Sequence, residues 1–342
     1  MKAVVIPRHG GPEVLEYREV PDPEISSNEV LVRVRACALN HLDLWVRRGL
    51  PGVEIPLPHI PGSDIAGEVV QVGRDVRQVR VGDDVVLAPG ISCGHCPACL
   101  SGFDNRCREY TLLGYLVDGG CAELVRVPGV NVLPKPENLS FEQAAAVPLV
   151  FLTAWHMLVT RARLAPGEDV LVIAAGSGVG SAAVQIARLI GARVFATVGS
   201  EAKRQKALEL GAEVVLDHHR QDIVAEIKRL TDRRGVDVVF EHVGEATWER
   251  SLACLAVGGR LVTCGATTGP QVRFDLRRLF SRNQSILGSY MGSKAELYSV
   301  LKLVSEGRLQ PVIDSVLPLE QCTIAHLRME RSEHFGKIVL VP

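Results

Sequence analysis
The sequence predicts an α/β protein in two parts, a barrel-like β domain followed by a parallel sheet clothed in helices. Three observations predict it. The chain has 342 residues, room for two or three domains at roughly 100–200 residues each. Its first part reads as many short strands separated by Gly and Pro turns, the pattern of a closed or nearly closed β domain. Beyond residue 140 strand-like and helical stretches alternate, which means crossover units and a parallel sheet.

The elements follow in order. Val30–Arg35 (VLVRVR) alternates apolar and basic side chains, the two-residue period of a half-buried strand. Ile65–Val72 and Asp84–Leu87 behave alike, with Gly73 and Gly82 at the turns. A helix is predicted over His41–Arg48, ended by Gly49 and Pro51. Ser140, with Glu142 and Gln143 behind it, opens a helical stretch that Pro166-Gly167 closes. Strand Asp169–Ala174, a glycine turn, helix Ser181–Ile190 and strand Arg193–Val198 come next. The second round is helix Glu201–Leu210, strand Val214–Leu216, helix Ile223–Arg233, strand Asp237–Phe240, helix Ala246–Leu255 and strand Arg260–Thr263. The tail holds strand Ser285–Leu287, helix Ala295–Glu306 and strand Lys337–Val341.

Composition narrows the function. Hydrophobic residues make up 47% and charged residues 23%, which excludes wholesale disorder and suits a globule with a large core. Thirty-eight basic against 39 acidic residues leave a formal charge of −1, so no global field draws nucleic acid or anionic lipid. The apolar run Ala144–Leu152 is broken by Pro148 and falls short of the roughly 20 residues of a membrane span. The opening MKAVVIPRHG lacks a signal-peptide core. The expectation is a cytoplasmic protein that binds neither nucleic acid nor membrane.

Nine cysteines divide into a cluster and a remainder. Cys93, Cys96, Cys99 and Cys107 have the spacing C-x2-C-x2-C-x7-C. Four thiolates gathered by one compact loop satisfy tetrahedral Zn2+ and leave no ligand position open, so one structural zinc per chain is expected, with metal-free thiols or iron as alternatives. Cys37, Cys121, Cys254, Cys264 and Cys322 are scattered, as plain thiols of a reducing compartment are.

The glycine turn, Ala174-Ala175-Gly176-Ser177-Gly178-Val179-Gly180, joins a strand to a helix. Small residues admit a pyrophosphate to the backbone, and the helix N-terminus favours its charge. Laid on G-x-G-x-x-G, only the third position, Gly180, is glycine, so the signal is the turn's place in a run of βα units. A dinucleotide is expected there. The second strand ends Val198-Gly199-Ser200 without the carboxylate that usually accepts from the NAD ribose. Ser200, Lys203 and Arg204 follow, with His218 and His219 after the third strand. These groups suit a 2′-phosphate, so NADP(H) is favoured over NAD(H), although Lys203 and Arg204 also fit a solvated helix face.

The cysteine lobe, the segment Pro61-Gly62-Ser63-Asp64-Ile65-Ala66-Gly67 and the Ala-Ala-Gly-Ser-Gly-Val-Gly turn together resemble the medium-chain dehydrogenase/reductase superfamily, the zinc alcohol dehydrogenases and quinone reductases, over essentially the whole chain. The resemblance implies a GroES-like β-barrel catalytic domain (residues 1–148 and 289–342, with a zinc lobe near 90–110) and a Rossmann doubly wound parallel-sheet cofactor domain (residues 149–288). It places the active site in the cleft between them, and by analogy it implies a homodimer or homotetramer paired through Gln284–Met291.

It also exposes a loss. The family's catalytic metal ligands fall here at Asn40, at Ser63 and at the Pro148–Thr153 junction, which has neither Cys nor His, and the relay hydroxyl falls at Leu42. Oxidising an unactivated alcohol without metal leaves the proton with no evident catalyst. Hydride addition to a quinone or enone needs only a hydrogen bond on the developing enolate oxygen. Asn40-x-x-Asp43 with Trp45 resembles the corresponding segment of zinc-free quinone reductases. The resemblance thus assigns Asn40 to the reacting carbonyl and Trp45 to a pocket wall, with Asp43 and Ser63 beside them; Asp43 and Asp64 also suit bracing of the local fold. It assigns His41 to the pyrophosphate, and Gly176, Gly178, Val179 and Gly180 to the phosphate turn. Thr153, His242, Val243, Ser289 and Met291 fall to the nicotinamide side, and Lys337 to the phosphates.

The expected activity is therefore NAD(P)H-dependent hydride transfer to a quinone, enone or other activated carbonyl. One alternative is an alcohol dehydrogenase, acting on an alcohol or aldehyde, whose catalytic zinc uses substitutes among Cys37, His41, His59, Asp43 and Asp64. A non-catalytic nucleotide-binding scaffold is the alternative of another class.

Overall fold
The structure, a computed structural model, describes residues 1–342 and divides into two compact units. The first comprises Met1–Val150 with Ser293–Pro342, the second Phe151–Gly292.

The first unit is built on the strand Glu29–Ala38, whose burial alternates along its middle as its sequence does. It pairs antiparallel with Asp64–Val72 and with Leu124–Pro128, and the sheet continues through Asp84–Leu87 to Val132–Pro134. On its other side Lys337–Val341 pairs antiparallel with it, and Ile313–Pro318 runs parallel to Lys337–Val341. A strand from the end of the chain thus lies directly against one near its beginning: Val339 is opposite Ala38 and Leu340 opposite Cys37. Val30, Val32, Val34, Ile65, Val69, Val85, Val125, Ile338 and Leu340 form the core of this unit. A helix over His41–Arg48 follows the central strand immediately.

The second unit holds a six-stranded parallel sheet in the order Val214–Asp217, Arg193–Val198, Asp169–Val172, Val236–Glu241, Leu255–Thr263, Ser285–Gly288. The first two crossovers lead outward to one side and the third returns to the other side of Asp169–Val172, so the strand order reverses there. That reversal is the topological switch point where such sheets bind ligands. Leu171, Phe195, Val239 and Leu261, each fully buried, fill the core. Near-continuous apolar strands are what a sheet covered on both faces requires.

Differences from the expected elements have local causes. The long helical stretch after Ser140 is three pieces: Phe141–Ala145, Pro148–Trp155 and a wider-wound turn over His156–Arg161. Pro148 lacks the N–H and carries the ring that stop a continuous helix there. The helix Gly178–Ile190 starts inside the glycine turn, earlier than Ser181, because Ser177 caps it by accepting from the Gly180 N–H. Strand Ile313–Pro318 and helix Cys322–Glu330, unanticipated, complete the first unit. No helix is long and apolar enough to cross a membrane.

Candidate active site and metal lobe
The first unit buries a compact polar cluster where the central strand meets the helix His41–Arg48. Asn40 precedes that helix, and Asp43 closes its first turn: Asp43 Oδ2 accepts from the Asn40 N–H at 2.7 Å, and the Asp43 N–H donates to the Asn40 carbonyl at 3.0 Å. Asp43 Oδ1 accepts from the Gly62 N–H at 2.9 Å, fixing the Pro61–Gly62 turn against the helix. Burial pushes the Asp43 carboxyl up, against the pull of these two hydrogen bonds and of His326 and Lys337. Next to it Asp64, fully buried, accepts from Asn40 Nδ2 at 3.0 Å, from the Leu149 N–H at 2.7 Å and from Lys337 Nζ at 2.8 Å. Lys337 Nζ also donates to Asn40 Oδ1 at 2.6 Å. The strand pairing explains the convergence: Leu39 N donates to Ile338 O, which sets Lys337 beside Asn40.

Two residues expected in the site are engaged here by protein partners. Lys337, expected at the cofactor phosphates, is only 3% exposed and gives its ammonium to Asn40 and Asp64. The carboxylate beside it captures the charge. Ser63 is fully buried, with its hydroxyl donating to Leu113 O at 2.6 Å, so it serves the backbone of the Gly62 turn. His41 and Trp45 are both half-buried, with ring centroids 6.5 Å apart, and His334 lies 6.5 Å from His41 on another side.

The cysteine lobe supplies the other chemistry of this unit. Its sulfurs stand 3.9 Å (Cys93–Cys99), 3.6 Å (Cys96–Cys99) and 3.5 Å (Cys93–Cys107) apart. Four sulfurs at about 2.3 Å from one zinc in tetrahedral geometry stand about 3.8 Å from each other. The residues fit the metal. Hydrogen bonds from the His95 and Cys96 N–H groups lower the Cys93 thiol to about 6. Cys96 is pushed up to about 11: the Cys99 N–H lowers it, but burial and the surrounding thiols outweigh that. Such crowding favours a dication. The other group of three able to ligate, Cys93, His95 and Glu109, belongs to the same lobe. Cys37, His41, His59, Asp43 and Asp64 do not form such a group.

The second unit carries the glycine turn at its switch point. A Cβ on Gly180 would lie 2.5 Å from Ala174 O and 2.8 Å from Ala175 Cα, so the helix packs onto its strand only with glycine there. Ala174 adopts φ +51°, and its N–H donates to Thr197 Oγ1 at 2.9 Å. Gly176, Gly178 and Val179 lie in this turn and in the first turn of a 13-residue helix, where unshared N–H groups and the dipole favour a pyrophosphate. His242 Nε2 reaches Ile173 O at 2.9 Å and Ser177 Oγ at 3.4 Å, and burial lowers its pKa, so the neutral ring closes the other side of the turn. Val243 N donates to the buried Glu241 at 2.6 Å. Thr153 Oγ1 lies 3.7 Å from Met291 Sδ, and both side chains are buried. Ser289 N donates to Thr263 O at 2.8 Å, continuing the sheet past its last strand, and the Ser289 hydroxyl finds no partner.

Beyond the strand Arg193–Val198, Ser200 caps the next helix by accepting from Lys203 N. His218 and His219 stack edge-on, 4.4 Å between centroids, over Gly199, where a Cβ would lie 3.1 and 3.0 Å from their Nε2 atoms. Burial, then His219 and Arg250, lowers the His218 pKa. Lys203 and His218 are half-buried, unlike the exposed Arg204.

Sequence reasoning gave Asp64 too small a part and missed Glu241. An aspartate opening the apolar strand Asp64-Ile65-Ala66 and a glutamate ending Val236–Glu241 were the available signals, since a carboxylate inside a buried strand demands partners.

A GroES-like β domain together with a Rossmann sheet and its glycine turn defines an NAD(P)-dependent oxidoreductase acting on small molecules. Comparison with known proteins agrees. Residues 26–137 match the alcohol dehydrogenase GroES-like domain family, and residues 178–306 match the zinc-binding dehydrogenase family. The chain is 34% identical to the alcohol dehydrogenase of Geobacillus stearothermophilus, covering 99% of each. It is 30% identical to the quinone oxidoreductase of Homo sapiens, covering 100% of this chain and 98% of that one. A solved structure described as an NAD-dependent alcohol dehydrogenase superposes with a TM-score of 0.97 at 48% identity, covering 100% of both chains. The chain belongs to the medium-chain dehydrogenase/reductase superfamily.

Proposed function
We propose that the chain is an NAD(P)H-dependent reductase that transfers hydride to quinones or to activated carbonyl and alkene substrates without a catalytic zinc, and that its one zinc is structural, held by Cys93, Cys96, Cys99 and Cys107. The observation that carries this reading is the Lys337 ammonium 2.6 Å from Asn40 Oδ1 and 2.8 Å from Asp64 Oδ2. A fixed positive charge at the position expected of a metal ligand opposes a dication there. The remaining chemistry suits an acceptor that is already electron-poor. Asn40, Asp43 and Trp45 would border the substrate, and His41 with Gly176, Gly178, Val179 and Gly180 would hold the pyrophosphate. Thr153, His242, Val243, Ser289 and Met291 would frame the nicotinamide.

NADP(H) is the favoured cofactor, with Ser200, Lys203 and His218 around the 2′-phosphate. A homodimer or homotetramer would pair through Gln284–Met291, which contains the edge strand Ser285–Gly288 of the six-stranded sheet.

The test counts zinc by mass spectrometry on the purified chain, then titrates NADPH and NADH against quinone and enone acceptors. One zinc and acceptor-dependent oxidation of NADPH support the reading. The 48% identity to a protein described as an NAD-dependent alcohol dehydrogenase favours a second reading, alcohol oxidation with NAD+. Two zincs per chain and turnover of a simple alcohol would establish that one instead.

A further inference from the structure
We propose that the Lys337 ammonium supplies the positive charge that receives the developing enolate oxygen of the substrate, with Asn40 and Asp64 as its positioning residues; the assignment rests on the reductase reading above. It follows from counting donors. An amide nitrogen has two N–H groups, and those of Asn40 Nδ2 go to Asp64 Oδ2 at 3.0 Å and Ala38 O at 3.4 Å. Asn40 Oδ1 is taken by Lys337. Asn40, expected to touch the reacting carbonyl, therefore has no donor to spare. An ammonium has three N–H groups, and Lys337 spends two, on Asn40 Oδ1 at 2.6 Å and Asp64 Oδ2 at 2.8 Å. The structure gives the third no acceptor. The remaining donor of the cluster is thus the strongest kind, a charged one, held by two partners in a site where Lys337 is 3% exposed, Asn40 6% and Asp64 0%.

Burial raises its effect. A charge–oxyanion contact in a dry, preorganised site is worth far more than in water, because nothing must reorient when the charge develops. Bound NAD(P)H would supply hydride, which would bring an electron pair and form a C–H bond at the electron-poor carbon. The π pair would move to the carbonyl oxygen, the cofactor would leave oxidised, and the enolate oxygen would rest against the third N–H of Lys337. Solvent then supplies the one proton that completes the product. Lys337 keeps its own protons throughout, and the alkyl stem needs to move little.

The experiment compares wild type with Lys337→Met and Lys337→Arg on two acceptors, menadione and methyl vinyl ketone, alongside fluorescence titration of NAD(P)H. Loss of an oxyanion donor costs about 10²–10³ in kcat. Lys337→Met should lose that much on methyl vinyl ketone, whose enolate charge is localised, and clearly less on menadione, whose charge is spread over the ring. Its affinity for NAD(P)H should stay within about threefold, and Lys337→Arg should recover part of kcat. Because Lys337→Met leaves Asp64 buried and unpaired, the double variant Lys337→Met with Asp64→Asn replaces it if the single variant does not fold. Equal losses on both acceptors would reduce Lys337 to a brace. Weakened NAD(P)H binding with kcat kept would return it to the phosphates. Unchanged kcat on both would remove it from catalysis. A wild-type enzyme inactive on both acceptors would instead overturn the reductase reading, and this assignment with it.

Discussion

Asp104 of the cysteine lobe holds Lys294 by two hydrogen bonds: its Oδ1 accepts from the Lys294 N–H at 3.0 Å and its Oδ2 from Lys294 Nζ at 2.9 Å. Lys294 is the first residue of the helix Lys294–Ser305, so one carboxylate answers both an unshared N–H of the helix and a charge. The lobe is thereby tied to an element nearly two hundred positions along the chain. Asp104→Ala should cost about 1–3 kcal/mol, since both donors lose a charged partner. It should also speed zinc release to a chromophoric chelator several-fold. A variant that releases zinc at the wild-type rate would show that the lobe stands without this tie.

Glu241 predicts a larger loss. Its fully buried carboxylate accepts from Val243 N at 2.6 Å, Gly244 N at 3.1 Å, Thr247 Oγ1 at 2.9 Å and Ser251 Oγ at 2.6 Å. The group thus fastens the turn that carries His242 and Val243 to the start of the helix Glu245–Cys254. Glu241→Ala should destabilise by about 3–5 kcal/mol, because several donors are orphaned in an apolar interior at once. Glu241→Gln keeps one acceptor oxygen and should cost less. Urea unfolding of the two variants decides, and equal costs would mean that the charged acceptor, not side-chain volume, is what matters at this position.

The sequence was most legible where one physical rule acted alone. Period-two alternation located the strand Glu29–Ala38, and the run of βα units located the parallel sheet strand by strand. The four-cysteine spacing led to sulfurs that gather in space. Legibility failed where long-range pairing decides. Lys337 reads as a strand residue with a cation to spend, and nothing local reveals that its strand lies against Glu29–Ala38 and so delivers the ammonium to Asn40 and Asp64. Ser63 likewise looks like a free hydroxyl until Leu113 O, fifty positions away, is brought beside it. The helix Cys322–Glu330 has no strong apolar stripe, since it buries His326 among its contacts, and its pattern gave no warning.

Gly180 separates propensity from packing. Alanine inside a helix is favoured over glycine by about 1 kcal/mol, so propensity alone predicts that Gly180→Ala stabilises. The added Cβ, however, would stand 2.5 Å from Ala174 O and 2.8 Å from Ala175 Cα, both backbone atoms that cannot swing aside. Overpacking of that kind costs about 1–3 kcal/mol and shifts the turn. The expected result is a lower melting temperature and NAD(P)H affinity reduced about tenfold or more, read by nucleotide fluorescence. Undiminished affinity in a stabilised variant would show that the turn yields.

Acid stability is set in part by His326. It is fully buried on the helix Cys322–Glu330, and its Nδ1 accepts from Arg47 Nη1 at 3.1 Å, while Arg47 also binds Glu330 and Gly10 O. Burial, with Arg47 and Arg48 adding to it and Asp43 and Glu330 opposing, lowers its pKa from 6.5 to about 4. Between those values the unfolded chain binds a proton that the folded protein refuses, so stability falls as pH drops from 6.5 toward 4. The loss amounts to about 3 kcal/mol once the lower value is passed. Glu330, held down by Arg47 and Arg48, adds a further loss below the ordinary carboxylate range, whereas the raised carboxyl of Asp43 acts in the opposite sense. The comparison with His326→Gln isolates the histidine, because glutamine offers Arg47 an oxygen but takes no proton. Denaturant midpoints followed from about pH 7 to about pH 4 should fall more steeply for wild type than for the variant, and parallel curves would mean that His326 takes up its proton at the same pH folded as unfolded.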